Sequence, residues 1–234
     1  FRNSLTNFAE AKSLAHFSYQ TLGIRSLAIV FPNEPKGIEL KNYFSQGFQE
    51  WGGQIAISYP YSPDTVDFSK IVADLTAGGL SFQALFVPDS YQVGVMIASQ
   101  LAFSDLTRIQ LIGTSLWDSP AFLQYGGASV EGAVFSSEFH PNSILPQINR
   151  FVTAYQNQFG RLPNAMATRS YDIANILLGV MRDGVRNREE VKEKILQIRN
   201  YPGVSRLTAI AATGDALQNL TILRVEGGQL IQLQ

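Results

Sequence analysis

The chain has 234 residues, 45% apolar and 16% charged, against about 25% charged in an average globular protein; intrinsic disorder is excluded, and one or two packed domains are expected. Eighteen Lys and Arg oppose nineteen Asp and Glu for a net charge of −1, so no basic excess exists to neutralise nucleic-acid phosphates. With no cysteine there can be no disulfide, thiolate zinc site or thiol nucleophile, and no apolar run approaches the roughly 18–20 residues that span a bilayer as a helix.

The chain begins at Phe1 and shows no basic stretch followed by an apolar one. Any targeting signal is expected upstream, and the chain reads as a piece of a longer polypeptide.

Asn7 followed by Glu10 predicts a helix start with a capping-box partner. Phe8, Leu14, Ala15 and Leu22 continue it at helical spacing until Gly23. The continuous run Leu27-Ala28-Ile29-Val30-Phe31 predicts a strand buried on both faces, stopped by Pro32. Leu40, Tyr43, Phe44, Phe48 and Trp51 predict a second helix, closed by Gly52-Gly53. Ile55, Ile57 and Tyr59 read as the next strand. Asp67 is placed to cap a helix with Phe68, Ile71, Val72 and Leu75 on its apolar face, ended by Gly78-Gly79. Ala84 to Val87 is a further buried strand, halted by Pro88-Asp89. Val93, Ile97 and Leu101 mark a helix, Ile109 to Gly113 a fourth strand, Phe122 a short helix, and Gly132 to Phe135 a fifth strand. Strands separated by helices of 10–15 residues predict right-handed crossovers. The expected fold is therefore α/β, a three-layer αβα arrangement around a Rossmann-like, doubly wound parallel sheet.

From Asn142 the pattern changes. Ile144, Ile148, Phe151, Val152, Tyr155 and Phe159 predict one amphipathic helix. A second, from about Ala165 to Met181, is apolar almost all round and is expected to be buried between layers. Asn187 and Glu190 open a third, with Val191, Ile195 and Ile198 inward. Strand-like segments follow near 208–211, 220–225 and 230–233, the last two joined by a hairpin signal at Gly227-Gly228. The expected division is 1–140 as a parallel α/β domain, 141–200 as a helical segment, and 201–234 as strands returning to the first.

Enzyme signatures are mostly absent, and an α/β enzyme using Asp89, Ser115 or Asp118 is the third and least favoured reading of the chain. No dinucleotide or phosphate-loop glycine pattern follows a strand, and Ser115 is not in a nucleophile elbow. His16 and His140 are 124 positions apart and read as surface or packing residues. No catalytic residue, metal ligand or cofactor site is predicted.

What converges is the set of loops after the parallel strands, where open α/β sheets bind ligands. Asn33 and Glu34 follow the first strand, Asp89 and Ser90 the third, and Thr114, Ser115, Trp117 and Asp118 the fourth. They offer hydroxyls, carboxylates and an indole, the composition of a small polar pocket with an aromatic wall. Each has a plainer reading too. Asp89 and Asp118 could cap helices, Thr114 and Ser115 could be ordinary turn residues, and Trp117 could pack on a neighbouring helix.

Several motifs occur in a recognisable order. They are Asp67-Phe68-Ser69, Pro88-Asp89-Ser90, Gly113-Thr114, Phe151 with Tyr155 and Phe159-Gly160, Pro163, Tyr171-Asp172, and Pro202-Gly203-Val204. With them the chain resembles a type I periplasmic binding protein of the Leu/Ile/Val-binding-like group. Phe1-Arg2-Asn3, Val87 to Ser90, Leu116-Trp117 and Val130 to Ala133 are most similar to the lipoproteins that activate penicillin-binding proteins.

The resemblance implies a two-lobed fold of which the N-terminal half of lobe one is absent here. Residues 1–140 and the last strands would belong to lobe two, and the helices of 141–200 to lobe one. It implies a non-enzymatic, periplasmic binding domain for an amino acid or similar small polar molecule, anchored through an upstream lipid attachment. The alternative is a protein–protein regulator of peptidoglycan synthesis with an envelope protein as partner. Amino-acid binders of this family hold the ligand's ammonium with an acidic residue after the fourth strand, where this chain has Ser115 and Asp118. Their Asp-x-x-Tyr-Gly pattern after the first strand reads Asn33-Glu34-Pro35-Lys36-Gly37 here. The apolar helix with Ile173, Ile176, Leu177 and Leu178 is expected to need cover from a second copy in a homodimer or from the missing fragment.

Overall fold

The computed structural model describes residues 1–77, 81–104 and 109–233. The chain divides into two compact units. The sheet unit comprises Thr6–Ser137 and Ile222–Gln234, and the helical unit Phe1–Leu5 and Glu138–Thr221. In chain order the sheet unit contributes α1 (Asn7–Gln20), β1 (Ser26–Pro32), α2 (Pro35–Glu50), β2 (Gln54–Tyr61) and α3 (Ser69–Ala77). It continues with β3 (Ala84–Val87), α4 (Tyr91–Leu101), β4 (Gln110–Gly113), α5 (Pro120–Gly126) and β5 (Val134–Ser137). The helical unit follows with α6 (Pro146–Phe159), α7 (Ala165–Arg182), α8 (Arg188–Leu196), β6 (Leu207–Ile210) and β7 (Ala216–Gln218). The chain ends in β8 (Thr221–Glu226) and β9 (Gln229–Gln232).

The main sheet runs β2-β1-β3-β4-β5-β8-β9. The first five strands pair in parallel, and β8–β9 is an antiparallel hairpin. Its turn residues Gly227 and Gly228 lie at φ 59° and 71°, a conformation two consecutive glycines adopt without strain. Residues alternate across the sheet. Ala28, Val30, Leu85 and Val87 join Ile71, Val72, Leu75, Ile97 and Leu101 in one core. Phe86 faces the other way and stacks on Phe44 of α2 at 4.0 Å. On that face α1 and α2 approach so closely that a Cβ on Gly47 would lie 3.2 Å from Ala15 Cβ. Helices therefore cover both faces of a mostly parallel sheet, the three-layer arrangement the hydrophobic pattern predicts.

Two local readings shift. The cap of α1 is Thr6, whose hydroxyl accepts from the Ala9 N–H, and not Asn7. This moves Glu10 out of the capping box and onto the face of Leu14, Phe17 and Ser18, where it is buried. Ser69 N–H does donate to the Asp67 carboxylate, and the α3 face packs as expected, whereas the stop at Gly78-Gly79 lies outside the described residues.

The helical unit has its own small cores. One gathers Phe139, Ile148, Phe151, Val152 and Val204; another gathers Ile176, Val180, Ile195, Leu207, Ile210 and Ala216. The second core explains why β6 and β7, which pair with each other, remain in this unit. Only β8 and β9 rejoin the main sheet, so the unit boundaries fall at 137/138 and 221/222 rather than at 140/141 and 200/201. Residues 1–5 also belong here, tied by an ion pair between Arg2 and Asp215 at 2.9 Å.

The expectation that α7 is buried all round is corrected. Thr168, Asp172, Ile176 and Val180 face inward, but Met166, Ile173, Leu177, Leu178 and Met181 form an exposed apolar flank. The helical unit has too few layers to cover both sides of an apolar helix.

Candidate functional site

The carboxyl ends of β1 to β5 form one edge of the main sheet. Strand order reverses between β1 and β3, and such a reversal opens the crevice in which doubly wound sheets take ligands.

Asn33 and Glu34 follow β1 and are exposed. Glu34 occupies the cap position of α2, beside Pro35 at the first helical position, and its carboxylate makes no cap hydrogen bond. Its side chain is therefore available to a ligand. Across the reversal, Asp89 and Ser90 follow β3 and are half-buried. Asp89 is held within the protein on both oxygens: Oδ2 accepts from the Tyr61 hydroxyl and Oδ1 from the Ser90 N–H. The Tyr61 hydroxyl is held well above its ordinary pKa by burial first, then by the Asp89 and Glu34 carboxylates, so it stays a proton donor. Ser90 starts α4 without a side-chain cap bond, which leaves its hydroxyl for other partners.

After β4, Thr114 is fully buried and its Oγ1 accepts from the Leu116 N–H, capping the single turn Ser115–Trp117. Asp118 is exposed and accepts from the Ser137 hydroxyl. Trp117 is a correction. The indole is not a pocket wall but a core side chain, 0% exposed, stacked on Phe122 at 4.9 Å and donating from Nε1 to the Asp89 carbonyl. An indole needs one hydrogen-bond partner when buried, and this loop supplies it.

The structure adds three residues that the sequence reading did not select. Tyr61 ends β2 and Ser136 is the last residue but one of β5, and Glu10 from the first turns of α1 lies buried against the ends of β4 and β5. Glu10 Oε1 accepts from the Ser115 N–H and from the Ser136 hydroxyl, both at 2.6 Å. The spacing of Glu10 with Leu14 and Phe17, i to i+4 and i+7, was the available signal for an inward carboxylate.

Among the described residues no group of three His, Asp or Glu could hold a metal ion, and no helix is long and apolar enough to cross a membrane. The edge offers hydrogen-bonding and charged side chains at the ends of parallel strands.

Comparison with curated proteins yields no match. Among solved structures, one from Rhodospirillum rubrum, named for branched-chain amino acid ABC transport, superposes with a TM-score of 0.89 at 22% identity over 98% of this chain and 66% of that one. The leucine binding protein LivK of Thermotoga maritima gives 0.76 at 25% identity, over 98% and 65%. An ABC transporter solute binding protein from R. palustris, in complex with benzoate, gives 0.72 at 15%, over 98% and 63%. The chain thus spans about two thirds of the length of these structures. The family model for periplasmic binding proteins matches residues 1–229, and the chain belongs to the periplasmic binding protein family.

Proposed function

We propose that the chain is the ligand-recognition part of a non-enzymatic solute-binding protein of the cell envelope, and that it takes a small polar molecule, an amino acid or similar. The observation that carries this is the strand-end edge itself. Glu34 and Ser90 flank the strand-order reversal with side chains that their helices do not use. In the family to which the chain belongs, solved structures are named for leucine binding and carry benzoate, both small carboxylates. Titration calorimetry with the twenty amino acids and benzoate is the test. At least one should bind, and Glu34→Ala or Ser90→Ala should weaken that binding by about 0.5–1.5 kcal/mol, the usual worth of one hydrogen bond. Silence toward every compound would favour the protein–protein regulator reading instead.

The apolar flank of α7 bears on partners. Exposures of 43% at Ile173, 50% at Leu178 and 64% at Met181 on one helix side make a contiguous patch of a kind monomers rarely leave wet. We propose that two copies of the chain pair through it, since two-fold pairing is the commonest closed assembly. Light scattering at micromolar concentration should give twice the monomer mass, and Leu177→Glu should return it to a monomer. A well-folded monomer that binds no hydrophobic dye would refute the pairing.

A further inference from the structure

We infer that the helical unit carries a ligand site of its own, a cavity walled by α6, α7 and the loop at 201–204 that takes a small aromatic carboxylate. This site is independent of the strand-end edge. The cavity measures about 550 Å³, within the roughly 300–1,000 Å³ of small-molecule sites. Gln147, Arg150, Phe151 and Ala154 line it from one face of α6, at the spacing i, i+3, i+4 and i+7. Tyr171 lines it from α7 and Tyr201 from the loop. The ring centres of Phe151 and Tyr171 lie 4.7 Å apart, an aromatic wall on which a flat ring can pack.

The loop is held in place by the protein itself. The buried Asp172 carboxylate accepts from the Val204 and Ser205 N–H groups and from the Ser205 hydroxyl, and the Tyr201 N–H donates to the Thr208 carbonyl at 2.7 Å. Among the described residues Asn200 and Arg206 are the non-glycines with positive φ, at 53° and 64°, and they bracket this loop. Backbone held in that region costs energy and collects at functional sites.

The polar groups of the wall are donors that lack acceptors. Among the described residues no acid pairs with Arg150, whose guanidinium makes one hydrogen bond, from Nε to the Pro146 carbonyl at 3.4 Å. The hydroxyls of Tyr171 and Tyr201 have no hydrogen bond to another described residue. Burial, with the charges of Asp172 and Tyr171 adding to it, pushes the Tyr201 hydroxyl up to about 12, so it stays a donor at neutral pH. Asp172 lines the cavity too, but the loop donors occupy both of its oxygens. Packing accounts for the rings but not for a guanidinium and two hydroxyls left beside them without acceptors. A carboxylate supplies those acceptors and matches the arginine charge, and an aromatic ring bearing it suits the wall. An amine would be repelled by Arg150, and an uncharged ring would leave that charge unmet.

The test titrates the 234-residue chain with phenylacetate, beside phenylacetamide, which keeps the ring without the charge, and cyclohexylacetate, which keeps the charge without an aromatic ring. Phenylacetate should bind roughly tenfold tighter than either, or better. Arg150 and Ala154 are exposed, so Arg150→Gln and Ala154→Leu should melt near the parent temperature. The first removes the charge and the second puts a larger side chain into the cavity; each should weaken phenylacetate by roughly tenfold or more. Phenylacetate should also shield Arg150 from modification by phenylglyoxal, read by peptide mass mapping, which locates the ligand even if a variant does not fold. Absence of phenylacetate binding, equal affinity for phenylacetamide, or an unshielded Arg150 would overturn the inference. So would a loss in Arg150→Gln with none in Ala154→Leu. Phenylacetate binding that neither substitution weakens lies elsewhere, and then this site falls while the strand-end function stands or falls by its own amino-acid titration.

Discussion

Replacing Trp117 by alanine should lower the stability of the chain by about 3–5 kcal/mol, the usual cost of emptying a large aromatic site in a packed core. The space around the indole is made by what other residues lack. A Cβ on Gly113 would lie 2.1 Å from the ring, and one on Gly94 would lie 2.6 Å from it. Phe122 stacks on one side and Phe135 stands at 6.4 Å. Glycines lining the cavity offer no side chain that could swing in to fill it. Trp117→Phe should cost less in packing but orphan the Asp89 carbonyl that the indole N–H now satisfies. Urea unfolding followed by far-ultraviolet dichroism measures both losses. An unchanged midpoint together with weakened ligand binding would restore the indole to the pocket wall.

The same residue shows how far the sequence could be read. A tryptophan in a loop after a strand is equally consistent with a ligand wall and with a core plug. What separates the two is whether glycines from other elements open a space for it, and Gly94 on α4 is invisible as a partner until the chain is folded. The sheet itself was legible. Its strands are near-continuous apolar runs punctuated by Pro and Gly, and burial on both faces leaves no other pattern. The α3 face at Phe68, Ile71, Val72 and Leu75 was equally plain.

Less legible were features that depend on one residue of register or on distant pairing. Moving the α1 cap from Asn7 to Thr6 turns Glu10 from a capping partner into a buried carboxylate, a difference of role set by about 100° of helix rotation. β7 escaped notice because Ala216–Gln218 is three residues long and mixed in polarity, and is a strand only because β6 pairs with it. For the candidate site, loop positions after strands were predictable from topology. Which of their polar groups the protein keeps for itself was not: Asp89 is tied up by Tyr61 from another strand, while the Glu34 carboxylate makes no bond to the helix it starts.

Removing the carboxylate of Asp172 should be comparably damaging, at about 3–5 kcal/mol for Asp172→Ala, because it strands several buried donors at once. Asp172 is 1% exposed on α7. Its Oδ1 accepts from the Val204 N–H at 3.0 Å, and Oδ2 from the Ser205 N–H at 2.8 Å and the Ser205 hydroxyl. The loop is built around this carboxylate: a Cβ on Gly203 would lie 2.7 Å from Oδ2, and Arg206 is driven to φ 64°. Burial raises the Asp172 pKa above its ordinary value, against the opposing pull of the hydrogen bonds from Ser205 and Val204. The folded state therefore holds this proton more tightly than the unfolded one. Stability from that term is fully present below the unfolded carboxylate pKa of about 3.9 and is lost as pH rises through the folded value. Asp172→Asn, which cannot titrate, supplies the reference. The unfolding free energy of the parent minus that of Asp172→Asn should grow as pH falls from 7 toward 4. A difference that stays flat, or that shrinks on acidification, would show that the hydrogen bonds outweigh burial and hold the carboxylate ionised.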